Sequence, residues 1–350
     1  MTVLYFGIYN PDYARNWVLL NGLRKNGVEV LECRESSTGL IKFFKLFLKY
    51  WKFAGKYDVM VVGFPGQEVM FLARFLTKNP IIFDAFTSHY EGYILDRRKF
   101  PKHSWRATYY RSLDKWSCRL ADIVLLDTEA HISFFLKEFG LKRGKFRRLF
   151  VGTNSELFYP RDNLEERRGK FLIHFHGYYI PLQGVKYIIK VAKLLENSDV
   201  EFNLIGRGQT YSDDLKLAQE LGIKNINFIE NVPYNVLPEY INKADVCLGI
   251  FGDTDKAELV IPNKVFEALA CKKPVITSDT AAIRELLKDE EDVILCRRAD
   301  SNDLADKIIK LHDNNQLKNK VAENGYRLFR EKLTEKQIGL ELKNIIDAEL

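Results

Sequence analysis

Apolar residues recur along this chain in two alternating styles: short β-branched or aromatic runs, and longer stretches with apolar positions three and four apart. The short runs at 3–8, 28–32, 59–62, 80–83, 123–126 and 148–151 read as strands. The amphipathic stretches 15–25, 40–53, 68–76, 105–120 and 130–139 read as helices. From residue 171 the alternation restarts, with strands expected at 171–175, 201–205, 226–229, 246–250, 274–277 and 293–296. Helices are expected there at 184–195, 213–221, 237–242, 263–271, 281–287 and 302–312. The C-terminal segment reads as two more helices, with Thr334 as an N-cap and Glu335 in the first turn. Between the two series lies the polar stretch 152–169, carrying Pro160 and the charged run 161–168, which suits a linker.

Alternation of this kind specifies parallel sheets with helices on both faces. The expected fold is therefore α/β, with two tandem Rossmann-like, doubly wound domains and C-terminal helices. The domains are expected at 1–160 and 161–333, with a helix at 334–350 packing back on the first. Ligands of such sheets bind outside the carboxyl ends of the strands. With two domains facing one another, the cleft between them is the expected site.

Composition narrows the class. A chain of 350 residues exceeds what one core usually serves, which agrees with two domains. The five cysteines, Cys33, Cys118, Cys247, Cys271 and Cys296, are scattered without a C-x-x-C, so neither a zinc site nor a disulfide framework is expected. The N-terminus passes directly into a strand-like run and no apolar span is long enough to cross a bilayer. A cytoplasmic protein is the expectation. Charge is uneven: residues 1–160 hold 25 Lys and Arg against 15 Asp and Glu, and residues 161–350 hold 28 against 32. The first half thus suits an anionic surface, but its basic segments contain no recognised nucleic-acid module, so no nucleic acid is expected.

The densest chemistry lies in 260–277, Val-Ile-Pro-Asn-Lys-Val-Phe-Glu-Ala-Leu-Ala-Cys-Lys-Lys-Pro-Val-Ile-Thr. Pro262 suits the first turn of a helix. Lys264 and Glu267 are three apart, so they share one helical face near its start. Free N–H groups there already favour anions. A cation for a diphosphate and a carboxylate for ribose hydroxyls would equip this segment to hold a nucleotide. The alternative is a surface ion pair on an ordinary helix.

Four segments of the second half resemble the GT-B glycosyltransferases of family 4. These are Phe175-His-Gly177 with Pro181-Leu-Gln-Gly184, Leu204-Ile-Gly-Arg-Gly208, Asn231-Val-Pro-Tyr234 with the following run to Gly249, and 262–274. The first half agrees more loosely, through Phe6-Gly-Ile-Tyr-Asn-Pro11, Arg15, Asn16 and Ala121–Thr128. The resemblance implies transfer of a sugar from a UDP- or GDP-linked donor with retention of anomeric configuration, without a metal or a cofactor. The acceptor implied is a glycan or a lipid-linked molecule. Lys264 and Arg207 would hold the donor phosphates, Glu267 the ribose and the backbone near Val232 the base, with Gly177 and Asn263 as further donor-binding residues. His89 and Glu258 are the catalytic candidates. Tyr9, Asn10, Arg15 and Asp84 are acceptor-side candidates, Asp84 as the end of a strand facing the cleft. The chain departs from the family in two places. Leu259, not a carboxylate, stands eight before Glu267, with Glu258 one residue earlier; Tyr178 and Gln183 occupy places where many members carry cations. A sugar-nucleotide 2-epimerase and a non-catalytic partner subunit share the architecture and are the alternatives.

The helical stretch 40–53 is both basic and aromatic. Lys42, Lys45, Lys49 and Lys52 lie on one face, with Phe43, Phe44, Phe47, Leu48, Tyr50 and Trp51 filling the remainder. Such a helix suits a membrane surface. The expectation is that the aromatics pack on the sheet while the lysines attract anionic headgroups, giving peripheral contact with the inner face of a membrane.

Overall fold

The computed structural model describes residues 1–161 and 169–348. It divides into two compact units, Met1–Asn154 with Lys332–Leu350, and Ser155–Glu331. Most of the charged run 161–168 lies outside the described residues.

In the first unit β1 (Thr2–Gly7), α1 (Ala14–Lys25), β2 (Glu29–Arg34), α2 (Ile41–Tyr50), β3 (Val59–Val62) and α3 (Met70–Leu76) follow in order. Then come β4 (Ile81–Phe86), α4 (Trp105–Leu120), β5 (Ile123–Leu126), α5 (Glu129–Phe139) and β6 (Phe146–Arg148). The sheet is parallel, in the order β2-β1-β3-β4-β5-β6. Leu4, Phe6, Met60, Val62, Phe83 and Val124 point to one side, into a core shared with Leu46 and Tyr50 of α2, Met70 and Ala73 of α3, Cys118 of α4 and Ile132 of α5. Those four helices therefore cover one face of the sheet, as right-handed crossovers require. On the opposite face Tyr5 bonds through its hydroxyl to Asn16 of α1, 3.0 Å away.

The second unit holds β7 (Phe171–His176), α6 (Val185–Leu194), β8 (Val200–Ile205), α7 (Tyr211–Glu220), β9 (Ile226–Ile229), α8 (Leu237–Lys243) and β10 (Val246–Leu248). It continues with α9 (Asn263–Ala270), β11 (Val275–Ser278), α10 (Ala281–Arg284), β12 (Ile294–Cys296), α11 (Ser301–Asp313) and α12 (Asn315–Leu328). Its parallel strands run β12-β11-β10-β7-β8-β9. This is the doubly wound order of dinucleotide-binding sheets, with the winding direction reversing between β7 and β10.

The chain then returns to the first unit as α13 (Glu335–Asp347), capped by the Thr334 side chain and packed along α1. The two helices cross at Gly22 and Gly339. A Cβ on Gly339 would lie 2.0 Å from the Gly22 carbonyl carbon, so neither position has room for a side chain.

Three expectations are corrected here. The strand expected at 80–83 continues to Phe86, so Asp84 lies inside β4 rather than at its end. The strand expected at 148–151 is Phe146–Arg148, because the carbonyls of Leu149 and Phe150 turn to the Arg15 guanidinium instead of continuing the ladder. In α2 only Leu46 and Tyr50 are fully buried, while Ile41, Phe44, Leu48 and, just beyond its end, Trp51 are exposed. A ten-residue helix apolar on most of its circumference cannot turn every side chain inward. Lys42 and Lys49 are instead drawn to Glu68 and Glu35, and Lys45 to the Ser37 hydroxyl.

Candidate active site

The strand β7 alternates, with Ile173 and Phe175 joining the core beneath α6 and His174 and His176 sharing the opposite face. His174 Nε2 lies 2.9 Å from His176 Nδ1, and His176 Nε2 lies 2.7 Å from Glu267 Oε2. Burial, then the neighbouring His176 and Lys264, holds His174 well below the usual imidazole range. A neutral His174 donating to His176, which donates in turn to the carboxylate, accounts for both contacts, while His174 Nδ1 is buried without a hydrogen-bond partner among the described residues. The other Glu267 oxygen accepts from the Tyr234 hydroxyl at 2.9 Å. The Phe158 ring supports Tyr234 edge-on, with centroids 5.4 Å apart. Both oxygens of a buried carboxylate are thereby fixed in direction.

Lys264 precedes Glu267 in the first turn of α9, which begins at Asn263 directly after Pro262. Its Nζ donates to Gln183 Oε1, its only hydrogen-bond partner among the described residues, and sits 3.7 Å above the centre of the Phe175 ring. Gln183 is held in the turn after β7 by the chain leaving β10, through Phe251 N–H to Gln183 C=O at 3.1 Å. Burial pushes Lys264 well below the usual amine range, opposed by the charge of Glu267. A buried ammonium has three N–H donors, so this one still has capacity for an anion. Gly177, at φ +155° just past β7, lies against this amine: a Cβ there would stand 2.8 Å from Lys264 Nζ. Lys264, Glu267 and Gly177 thus meet at the carboxyl end of β7, beside the reversal point of the sheet.

Other expected donor residues are placed differently. Arg207 is exposed, paired with Glu230 at 3.2 Å and lying over the Tyr211 ring, so its guanidinium is committed at the surface and Lys264 is the buried cation. Val232 lies in the β9–α8 loop that also supplies Tyr234. Glu258 pairs with Arg298 at 3.3 Å and accepts from the Ala281 N–H at the start of α10.

In the first unit, Arg15 and Asp84 are fully buried and bond to each other, Nη2 to Oδ1 at 2.8 Å and Nε to both oxygens at 3.1 Å. Arg15 also donates to the carbonyls of Leu149 and Phe150. The pair holds β4, α1 and the chain after β6 together, and neither member presents surface to an acceptor. This corrects their expected place: charges buried this deeply must be matched, and here they match each other. Tyr9 is buried with its hydroxyl on Glu32, whereas Asn10 is exposed and accepts from the Asp12 N–H. His89 lies half-buried against Tyr93 and Tyr110. Its backbone N–H, the Tyr90 backbone N–H and the Ser88 hydroxyl all donate to Asp114, whose carboxyl burial pushes up to about 7.

His174 was not among the expected residues, and His176, Gln183 and Tyr234 stood only within the segments that carry the resemblance. Two histidines at alternate positions of a strand ending in glycine were the available signal. A further polar cluster, Glu91–His131–Asp127, is fully buried, with the imidazole 3.0 and 2.8 Å from the two carboxylates. Among the described residues no three His, Cys, Asp or Glu converge as a metal site.

The family model described as "Glycosyl transferases group 1" matches residues 170–314, which contain His174, His176, Gly177, Gln183, Tyr234, Lys264 and Glu267. An uncharacterized glycosyltransferase of Methanocaldococcus jannaschii is 24% identical over 184 residues, 51% of this chain and 46% of that protein. The chain thus matches only about half the length of that relative. Two solved structures share the fold over nearly all of both chains. The Anabaena protein HepE in complex with UDP and glucose superposes with a TM-score of 0.76 at 15% identity, covering 99% of this chain and 100% of that one. Sucrose-phosphate synthase of Thermosynechococcus elongatus gives 0.77 at 16% identity, covering 99% and 98%. The fold is that of the GT-B glycosyltransferases.

Proposed function

We propose that this protein is a retaining glycosyltransferase of the family 4 type, moving a sugar from a UDP- or GDP-linked donor to a glycan or lipid-linked acceptor. The observation that carries the reading is the buried Lys264 ammonium beside the doubly anchored Glu267, at the reversal point of a doubly wound sheet. The donor diphosphate would take the remaining Nζ donors of Lys264 and the N–H groups at the start of α9 around Asn263, with Gly177 admitting it closely. Ribose hydroxyls would donate to Glu267, whose two oxygens offer about four lone-pair positions, of which His176 and Tyr234 use two. As the sugar–phosphate bond breaks, charge grows on the departing diphosphate, where a fixed cation is worth most. Lys264 would supply that charge without a metal. Glu258 and His89 remain the proposed sugar-side groups, and Val232 the backbone that receives the base. The structural neighbour crystallised with UDP favours testing that nucleotide first.

The test is calorimetric titration with UDP, GDP and ADP, repeated on Glu267→Ala. One diphosphate should bind well above the others and lose about 1–3 kcal/mol in the variant. Absence of binding to all three would overturn the reading and leave the non-catalytic subunit in its place.

A further inference from the structure

We propose that the outward side of the α2–α3–α4 layer docks on an anionic phospholipid bilayer, with its aromatic side chains in the headgroup region. This rests on the reading of a lipid-linked acceptor and specifies the surface at which that acceptor is met. The three helices lie side by side among the four that cover one face of the first sheet, so their outward sides form one surface. On α2 and its ends that surface carries Leu40, Ile41, Phe44, Leu48 and Trp51; on α3, Phe71 and Phe75; on α4, Trp105, Tyr109 and Trp116. Ten of the 17 exposed large apolar side chains among the described residues are thus on this layer. Three of the chain's four tryptophans are among them. Phe75 is 80% exposed and Trp105 71%. Exposure concentrated in this way marks an interaction surface, and tryptophan favours the boundary between lipid and water.

Charge complementarity selects the bilayer as occupant. The lysines of α2 form a stripe alongside the exposed apolar stripe rather than opposite it, with Lys45 and Lys52 on its outward side. Arg106 lies over the rings of Trp105 and Phe100, and Arg119 over Trp116, so cations and indoles present together. The three helices contain one carboxylate, Asp114, and it is buried. The acids that reach this layer from elsewhere, Glu35, Glu68, Asp122 and Glu138, pair with Lys49, Lys42, Arg74 and Arg111. Beside α4 a groove of about 690 Å³ is lined by Lys102, Lys115, Trp116 and Arg119 with the Arg111–Glu138 pair, an excess of cations that fits a lipid phosphate. No helix of the described residues is long and apolar enough to cross a membrane, so the contact is one of lying on the surface.

The test is co-sedimentation with phosphatidylcholine vesicles, with and without about 30% phosphatidylglycerol. The variants are Phe44→Ser/Trp51→Ser/Phe75→Ser and Lys45→Glu/Lys52→Glu. Wild type should bind the anionic vesicles more tightly than the neutral ones. The apolar triple variant should bind about a hundredfold more weakly, and the charge variant about tenfold more weakly on anionic vesicles only. Thermal melting and nucleotide titration of each variant verify that it is folded and that its donor site is intact. No vesicle binding by wild type, or unchanged binding by the triple variant, would overturn the inference. So would a concentration-dependent dimer that the triple variant abolishes, since the face would then belong to a second copy. Nucleotide binding is read separately, so loss of this inference and loss of the transferase reading are distinguishable.

Discussion

Replacing Lys264 with Met tests the site most directly, because two opposite effects should appear together. In the free protein Lys264 donates to one neutral partner, Gln183, and burial presses its pKa well below the usual amine value of 10.5. Between the depressed folded value and 10.5 the unfolded chain holds more protons than the folded one, so stability rises with pH in that window. Below the folded value the penalty for burying the ammonium is present in full. Methionine has similar length and no charge, so the variant should melt higher than wild type, and the alkaline rise in stability should flatten. Binding should move the other way. A charge-assisted hydrogen bond to phosphate contributes about 1.5–3 kcal/mol, so affinity for the diphosphate should fall roughly ten- to a hundredfold. A bound diphosphate also draws the proton back onto Nζ. Titrations over a pH series in buffers of different ionisation enthalpy should therefore show proton uptake with nucleotide once the pH passes the depressed folded value in wild type, and none through this group in the variant. Equal affinity and equal proton linkage in the two proteins would refute the assignment of Lys264 as the phosphate cation.

Tyr234→Phe removes one of the two bonds that aim Glu267, and should weaken UDP or GDP by about 0.5–1.5 kcal/mol while leaving pyrophosphate affinity unchanged, by calorimetry. Arg15→Met leaves Asp84 as an unmatched buried carboxylate and should cost about 3–5 kcal/mol in denaturant unfolding of the first unit. Arg15→Met combined with Asp84→Leu should recover much of that loss. Glu91 and Asp127 raise His131 to about 9 against the opposing effect of burial. Its stabilising contribution is therefore present in full below the unfolded value of about 6.5 and is lost as pH rises through about 9. His131→Gln should be destabilised at pH 6 on the order of 3 kcal/mol, with the difference from wild type shrinking toward pH 9 in thermal melts.

Most of the architecture is legible in the sequence because strand and helix signals are local. The expected runs at 171–175, 201–205 and 226–229 agree with β7, β8 and β9 to within a residue at either end. Errors gather where a distant group competes for the backbone, as at Leu149 and Phe150, whose carbonyls serve Arg15. In α2 only the expectation that all the aromatics pack on the sheet failed, for a related reason. Periodicity identifies a helix and its stripes, but which stripe turns inward depends on neighbours such as Glu35 and Glu68, which hold Lys49 and Lys42.

The sequence by itself determined that Lys264 and Glu267 share a helix start, because their relation spans one turn. It also determined the parallel, doubly wound class, through alternation of period and length. The tertiary structure decided what those two residues touch. His176 is 91 positions from Glu267 and Gln183 is 81 from Lys264, and they meet because β7 and β10 lie side by side where the winding reverses. It also decided that Arg15 and Asp84, 69 apart, neutralise each other, while aromatic side chains of α2, α3 and α4 remain outside. Burial and pairing are properties of neighbours brought together by sheet order, and a linear pattern carries no term for them.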